Sequence, residues 1–186
     1  MNDLTRVEFG NPILREVAQT LTMRQISSKK VKLLIKNMIY LLRSKKMGVG
    51  LAAPQVGVNM ALAVISIHPT SHRPEVEAFD LVIINPEITQ QIGYRGQMWE
   101  GCISAGTGGL FAKVPRYKKI ELKFLDISGR QHKKMYEGLN AQVIQHEVDH
   151  LNGVLFVDRV KDPKTYMTMK EYKKMALAKH KSLKML

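Results

Sequence analysis

The pentapeptide His146-Glu147-Val148-Asp149-His150 constrains the fold of this chain more than any other stretch. Two histidines four positions apart lie on one face of a helix, about one turn from each other, so both imidazoles can bind one cation. The glutamate lies beside that cation, where a carboxylate can take a proton from a bound water molecule. The pattern thus predicts a helix with a candidate metal site, and leaves a purely structural pair of histidines as the alternative.

A catalytic metal site of this kind needs a third protein ligand, and the sequence offers three candidates. The metzincin pattern is matched as far as Gly153, but Phe156 stands where the third histidine belongs, which excludes that subfamily. Glu171 would imitate the carboxylate of thermolysin-like enzymes, but it lies between lysines and is expected to be solvated. Cys102 offers a thiolate, a strong ligand for a borderline-soft cation, although a lone cysteine is more often buried and inert.

The surroundings of the cysteine favour the third candidate. Cys102 lies within Glu100-Gly101-Cys102-Ile103-Ser104, and a glycine-rich stretch occupies residues 48–55. Together with residues 145–150, these segments match the motifs G-x-G-x-A-A-x-Q, E-G-C-x-S and Q-H-E-x-D-H, in this order. The chain therefore resembles the peptide deformylase family, metal hydrolases that remove the formyl group from the N-terminal methionine of new bacterial-type proteins. Three separate motifs in register across most of the chain make this resemblance specific.

The resemblance implies which residues hold the metal. Cys102, His146 and His150 correspond to the metal ligands of the family, with water or substrate in the fourth position. The implied metal is Fe²⁺, with Zn²⁺, Ni²⁺ or Co²⁺ as substitutes. Two imidazoles and one thiolate do not by themselves choose between iron and zinc.

The resemblance also implies the catalytic roles. Glu147 corresponds to the general base and acid: metal-bound water loses a proton to it, attacks the formyl carbon, and the proton then passes to the departing amine. The side-chain amide of Gln55 and the backbone N–H of Ile103 are expected to stabilise the oxyanion together with the metal. One such donor typically contributes about 2.7–4 kcal/mol of transition-state stabilisation.

Six positions are expected to form the pocket for the methionine side chain. Leu139 and Val143 lie seven and three residues before His146, on the same helix face, although plain core packing would explain them equally well. Gln142 is polar where the family commonly has an apolar residue, which is expected to narrow the pocket's preference. The resemblance adds Val49, Gly50 and Met98, which are equivalent in position to family residues that complete the pocket. The full set is Val49, Gly50, Met98, Leu139, Gln142 and Val143.

The segment after the cysteine motif departs from the family pattern. The family often continues with Val-Pro and a basic residue, whereas residues 105–109 read Ala-Gly-Thr-Gly-Gly. A glycine-rich rim is expected to be more flexible and to contact the peptide beyond methionine differently. The alternative function is therefore a deformylase-like metal protein with an altered substrate or low activity.

Hydrophobic periodicity and turn residues predict the main elements. The resemblance implies an α+β fold in which a central metal-binding helix is surrounded by small, mostly antiparallel β-sheets, with N-terminal and C-terminal helices. The predicted elements are helices over 28–46, 138–151 and from Pro163 to near the C-terminus, strands over 61–67 and 80–85, and a hairpin that pairs 120–124 with 130–136.

Length, charge and cysteine content set the class of protein. The chain has 186 residues, which we expect to form a single catalytic domain over 1–186. No apolar run approaches the roughly 20 residues of a membrane helix, and the first residues lack the features of a secretory signal. A single cysteine excludes an internal disulfide and suits a reducing compartment. We therefore expect a cytoplasmic protein.

Nearly half of the net charge of +13 comes from the C-terminal segment 163–186, which contains seven lysines and one acidic residue. Apolar residues gather on one side of this predicted helix and lysines on the other, with Leu177 on the lysine side. Such a helix can lie on a membrane, bind RNA or cover the core with a solvated face. If the chain acts on N-formyl-methionyl nascent polypeptides, we expect this basic helix to contact the ribosome. We expect it to bind neither a membrane nor a specific nucleic-acid sequence. The rival hypothesis to the enzyme is a basic RNA- or ribosome-binding module in which the metal has only a structural role.

Overall fold

One antiparallel sheet and one buried helix organise the protein. The computed structural model describes residues 4–44, 48–70, 74–107 and 109–183, with the backbone alone for Tyr94, Arg95 and 178–183. The strands are β1 (Gly50–Ala52), β2 (Leu62–Ile67), β3 (Phe79–Gly101), β4 (Leu110–Leu125), β5 (Gln131–Glu137) and β6 (Met167–Thr168). The helices are α1 (Met23–Ser27), α2 (Lys29–Arg43), α3 (Gly138–Leu151), α4 (Phe156–Arg159) and α5 (Met169–Leu183).

The six strands form a single sheet in the order β1-β2-β3-β4-β5, and β6 pairs with β4. All of these pairings are antiparallel. The long pair β3–β4 contains register shifts between Ile84 and Glu87, Ile88 and Gln90, and Ile92 and Arg95, and such bulges bend a strand. The α+β class is confirmed, and the strands join into one bent sheet rather than several small ones.

Helix α3 has the bounds that its sequence predicts, Gly138–Leu151. Ten of its residues are buried, because the helix packs against β1, β2, β4 and β5. A helix covered on nearly all sides carries apolar or paired polar residues around its whole circumference. The segment 145–150 therefore lies at the centre of the molecule.

A capping residue sets the start of α2. The hydroxyl of Ser28 accepts a hydrogen bond from Val31 N at 3.2 Å, so α2 begins at Lys29 as predicted. Its apolar face, which includes Ile35 and Met38, is buried against β2. The helix ends at Arg43, before the predicted end at Lys46, which lies outside the described residues.

The predicted strands occur, but two are longer than expected. The strand predicted over 61–67 is β2, and the one predicted over 80–85 is the first part of β3. The predicted hairpin is the β4–β5 pair, closed by a turn in which Asp126 accepts hydrogen bonds from Ser128 N and Arg130 N. Strand β4, however, already begins at Leu110.

The predicted start of the C-terminal helix at Pro163 is wrong. Pro163–Thr165 form a 3-10 turn, and Leu110 and Phe111 of β4 then pair with residues 167–168 as β6. This pairing holds the chain extended until α5 begins at Met169. Residues 184–186, at the predicted end, lie outside the described residues. Within the ranges that the structure describes, none of the helices combines the length and apolarity needed to cross a bilayer.

Candidate active site

Three side chains expected to bind a metal converge at the centre of the molecule. Cys102 follows the end of β3, and His146 and His150 lie one turn apart on α3. One ligand atom from each lies within 4.8 Å of the others, and Cys102 Sγ is 3.2 Å from His150 Nε2. Tetrahedral bonds of about 2.0–2.3 Å place ligand atoms roughly 3.5 Å apart. The spacing and the donor types therefore fit one divalent transition metal ion.

A buried carboxylate orients one of the histidines. His146 Nδ1 donates to Glu100 Oε2 at 2.9 Å, which leaves Nε2 of the ring for the metal. Burial opposes protonation of His146, but contacts with Cys102 and Glu100 raise its pKa well above the ordinary value. The negative charge of Glu100 next to this ring also favours a cation nearby.

An ion-pair network fixes Glu100 in turn. Arg116 of β4 is 4% exposed and donates to both carboxylate oxygens of Glu100, at 2.7 and 2.9 Å, and to Asp149 at 2.6 Å. Arg159 donates to the two oxygens of Asp149 at 2.6 and 3.1 Å. Burial raises the pKa of Glu100, but hydrogen bonds from Arg116 and His146 outweigh it and lower the pKa to about 2. Glu100 is therefore ionised, and a chain of charges connects the surface with His146.

Glu147 combines burial with a raised pKa of its carboxylate. Its side chain is buried, and Oε2 has no hydrogen-bond partner among the described residues. Burial raises the pKa of Glu147 to about 7, and the charge of His146 opposes that rise. Gly50 makes room for this carboxylate, because a Cβ there would lie 2.1 Å from Oε1.

The two expected oxyanion donors lie at the same centre. Gln55 belongs to the 3-10 turn Ala53–Val56, and its Oε1 is fixed by Ala52 N at 2.8 Å. The amide nitrogen thereby points to Cys102 Sγ at 3.3 Å and Ser104 Oγ at 3.2 Å. Ile103 lies in the turn directly after Cys102 and lines the cavity.

A cavity of about 660 Å³ opens beside these residues, and five of the six positions expected to bind methionine line it. Met98 does not line it; its strand neighbour Trp99 does, since successive strand residues point to opposite faces. The amide of Gln142 donates to Trp99 O at 2.9 Å, which explains a polar residue here. The five positions are Val49, Gly50, Leu139, Gln142 and Val143.

Sequence reasoning missed two groups of residues at this site. Arg116 and Arg159 were not anticipated, because their partners lie far away in the sequence or on another element. Helix α5 also lines the cavity, and only the apolar face of the predicted C-terminal helix signalled that it would cover something. Its lining residues are Met169, Tyr172, Lys173 and Ala176.

The two rejected ligand candidates lie elsewhere. Glu171 is exposed and pairs with Lys174 at 2.8 Å, which confirms its expected solvation. Phe156 is buried, with its ring 6.2 Å from the ring of His146. The described residues thus offer one cluster of metal-ligating side chains, formed by the cysteine and the two histidines.

Comparisons with known proteins identify the family. The family model for polypeptide deformylase matches residues 5–166. A peptide deformylase from Leptospira biflexa is 41% identical over 164 residues, which cover 86% of this chain and 89% of the relative. A peptide deformylase from Thermomicrobium roseum is 37% identical over 161 residues, covering 87% and 88% of the two chains.

Solved structures agree in fold. The Met-Ala-Ser-bound class I type b peptide deformylase from Acinetobacter baumannii has a TM-score of 0.79 and 30% identity, over 84% of this chain and 98% of that one. The peptide deformylase from Thermotoga maritima has a TM-score of 0.75 and 33% identity, over 87% and 100%. The resemblance inferred from the motifs is thus confirmed: the chain belongs to the polypeptide deformylase family and is a metallohydrolase of the deformylase type.

Proposed function

We propose that Cys102, His146 and His150 hold one divalent metal ion, Fe²⁺, beside which Glu147 moves the protons of formyl hydrolysis. The observation that carries this proposal is the convergence of three donor atoms within 4.8 Å. The buried carboxylate of Glu147, whose Oε2 has no hydrogen-bond partner among the described residues, lines the same cavity. The family's activity makes N-formyl-methionyl nascent polypeptides the substrate. The family match favours deformylase activity over the alternative of an altered substrate.

A metal ion held by Cys102, His146 and His150 would supply Lewis acidity, which would let water lose a proton near neutral pH. Glu147 accepts that proton while the water oxygen forms a bond to the formyl carbon. The carbon–nitrogen bond then breaks, and Glu147 returns the proton to the methionine nitrogen. Formate and a free amino terminus are the products. A pKa of about 7 suits a group that must both take and give a proton in one cycle.

Two donors are proposed to stabilise the oxyanion. The amide nitrogen of Gln55 is held beside Cys102 Sγ by the hydrogen bond of its own oxygen to Ala52 N. The backbone N–H of Ile103 follows the same cysteine in the chain. Preorganised donors of this kind cost no rearrangement when charge develops.

Cys102→Ala tests the ligand assignment and the function together. Loss of one of three protein ligands is expected to weaken metal binding by more than about 100-fold, beyond the usual effect of losing a supporting group. The wild-type protein, loaded anaerobically with Fe²⁺ or Ni²⁺, should release formate from formyl-Met-Ala-Ser. Metal content by mass spectrometry and formate by a coupled assay are the measurements. Normal metal binding by Cys102→Ala would contradict the proposed ligand set. A metal-loaded wild type that releases no formate would contradict the proposed substrate.

The cellular setting follows from the metal. A thiolate beside Fe²⁺ is open to oxidation, so we propose that the protein works in the reducing cytoplasm. We also propose that residues 1–186 form one catalytic domain. Residues from Arg6 to Ala176 line one cavity, which supports that proposal.

The lysine side of α5 is proposed to contact the ribosome. Lys170 and Lys174 are exposed, and the segment 163–186 is strongly basic. Changing both lysines to glutamine is expected to weaken ribosome co-sedimentation and to lower the salt dependence of the logarithm of the binding constant by about 2. The matched control, glutamine at Lys29 and Lys30 on α2, changes the net charge equally. Equal effects of both double variants would leave only nonspecific attraction.

A further inference from the structure

Helix α5 forms one wall of the active-site cavity. Strand β6 lies directly before α5 and pairs with β4, which brings Met169, the first residue of α5, to the sheet. The backbone N–H of Met169 donates to Gly109 O at 3.3 Å. Further along, the ring of Tyr172 stacks on that of Phe111 at 4.1 Å with an interplanar angle of 8°. The helix is therefore fixed to the residues that follow the cysteine motif.

Three aromatic rings make up this side of the cavity, and we call Trp99, Phe111 and Tyr172 the aromatic wall. The ring of Trp99 lies 5.9 Å from that of Tyr172. All three line the cavity. Gly101 lets the wall approach the metal ligands, because a Cβ there would lie 2.6 Å from the ring of Phe111. The wall thus begins directly beside Cys102.

The aromatic wall and the expected methionine pocket belong to different elements. The methionine pocket is formed largely by α3, through Leu139 and Val143, whereas the wall comes from β3, β4 and α5. The cavity volume of about 660 Å³ lies within the range of roughly 300–1,000 Å³ that is typical of ligand-binding pockets. One methionine side chain leaves much of such a cavity to the rest of the peptide.

From this arrangement we propose that the aromatic wall binds the side chain of the second or third residue of the formylated peptide and favours aromatic residues there. The proposal rests on the proposed function and names a further determinant of its specificity. An aromatic side chain gains from offset or edge-to-face contact with such rings, in addition to burial of its apolar area. Lys173, at the same helix face, lines the cavity as well and gives it a cationic group near the peptide.

The test is a ratio of specificity constants. Formyl-Met-Phe-Ser and formyl-Met-Ala-Phe are each compared with formyl-Met-Ala-Ser. In the wild type, kcat/KM is expected to be about 3–10-fold higher for at least one phenylalanine substrate, the range that one aromatic contact gives. Tyr172→Ala should bring that ratio close to 1. A ratio within one preparation does not depend on the fraction of active enzyme.

Two further variants separate recognition from folding. Tyr172→Leu keeps an apolar side chain against Phe111 but removes the ring, so it should also lower the ratio. Leu177→Ala is the control, because Leu177 lies on the same helix, is 49% exposed and does not line the cavity. Its ratio should match the wild type.

Two outcomes overturn the proposal: a wild type with no preference for phenylalanine, or a preference that both Tyr172 variants retain. Failure of the loaded wild type to cleave any of the three peptides would contradict the proposed function instead.

Discussion

Glu147→Gln is expected to lower kcat by about 10²–10⁴-fold while the metal content stays that of the wild type. Glutamine has nearly the same shape as glutamate and fits the same buried space against Gly50, but its amide cannot accept a proton from water. Turnover of formyl-Met-Ala-Ser and metal per chain are measured on the same preparation. The variant therefore separates proton transfer from metal binding.

The matched control is Glu171→Gln on α5. This carboxylate is exposed and pairs with Lys174, away from the donor atoms, so its loss should leave kcat within about twofold of the wild type. A Glu147→Gln variant with near-normal turnover and bound metal would mean that another group moves the proton. A variant that lost the metal would instead give Glu147 a role in holding it.

Arg116→Met is expected to reduce the free energy of unfolding by about 3–5 kcal/mol, because it leaves two buried carboxylates without their shared cation. Glu100 loses both hydrogen bonds to the guanidinium, and Asp149 keeps only Arg159. Urea unfolding of the metal-free proteins measures the difference without a contribution from metal binding. Met matches the volume of the arginine stem, so loss of charge dominates the effect.

Arg15→Met is the control for this prediction. Arg15 pairs with Asp158, but its side chain is 51% exposed, so its removal should cost less than about 1 kcal/mol of unfolding free energy.

The contribution of Glu100 to stability has a defined pH dependence. The folded-state pKa of Glu100 is lowered from 4.5 to about 2, so its stabilisation is present above pH 4.5 and is lost as the pH falls towards 2. Arg116→Met should therefore lose less stability than the wild type as the pH falls from 4.5 towards 2. An equal loss in both proteins would contradict the assignment of this stabilisation to the Arg116–Glu100 pair.

Elements with a strong local signal were predictable from the sequence. The bounds of α3 and the cap of α2 follow from helical periodicity and from Ser28. The larger part of β3, residues 86–101, was missed because its bulges break the alternation of apolar and polar residues by which a strand is recognised. The start of α5 was misplaced because β6 pairs with a strand more than fifty residues earlier in the chain. No local pattern contains that pairing.

The residues of the candidate site were also only partly predictable from the sequence. The metal donors, Glu147 and Gln55 stand in short motifs, and the structure brings all of them to one centre. Arg116 has no motif of its own, and only the fold shows that it lies between Glu100 and Asp149. Long-range ion pairs are set by strand register, which the sequence reveals only where alternation is regular.

The contribution of α5 to the cavity has a consequence for the order in which the enzyme becomes complete. Synthesis proceeds from the amino terminus, so Cys102 and the histidines of α3 leave the ribosome before Tyr172 does. A chain still in synthesis can gather its metal donors on the folded sheet while the opposite side of the cavity is missing. The proposed metal ligands can therefore come together before the cavity beside them is complete.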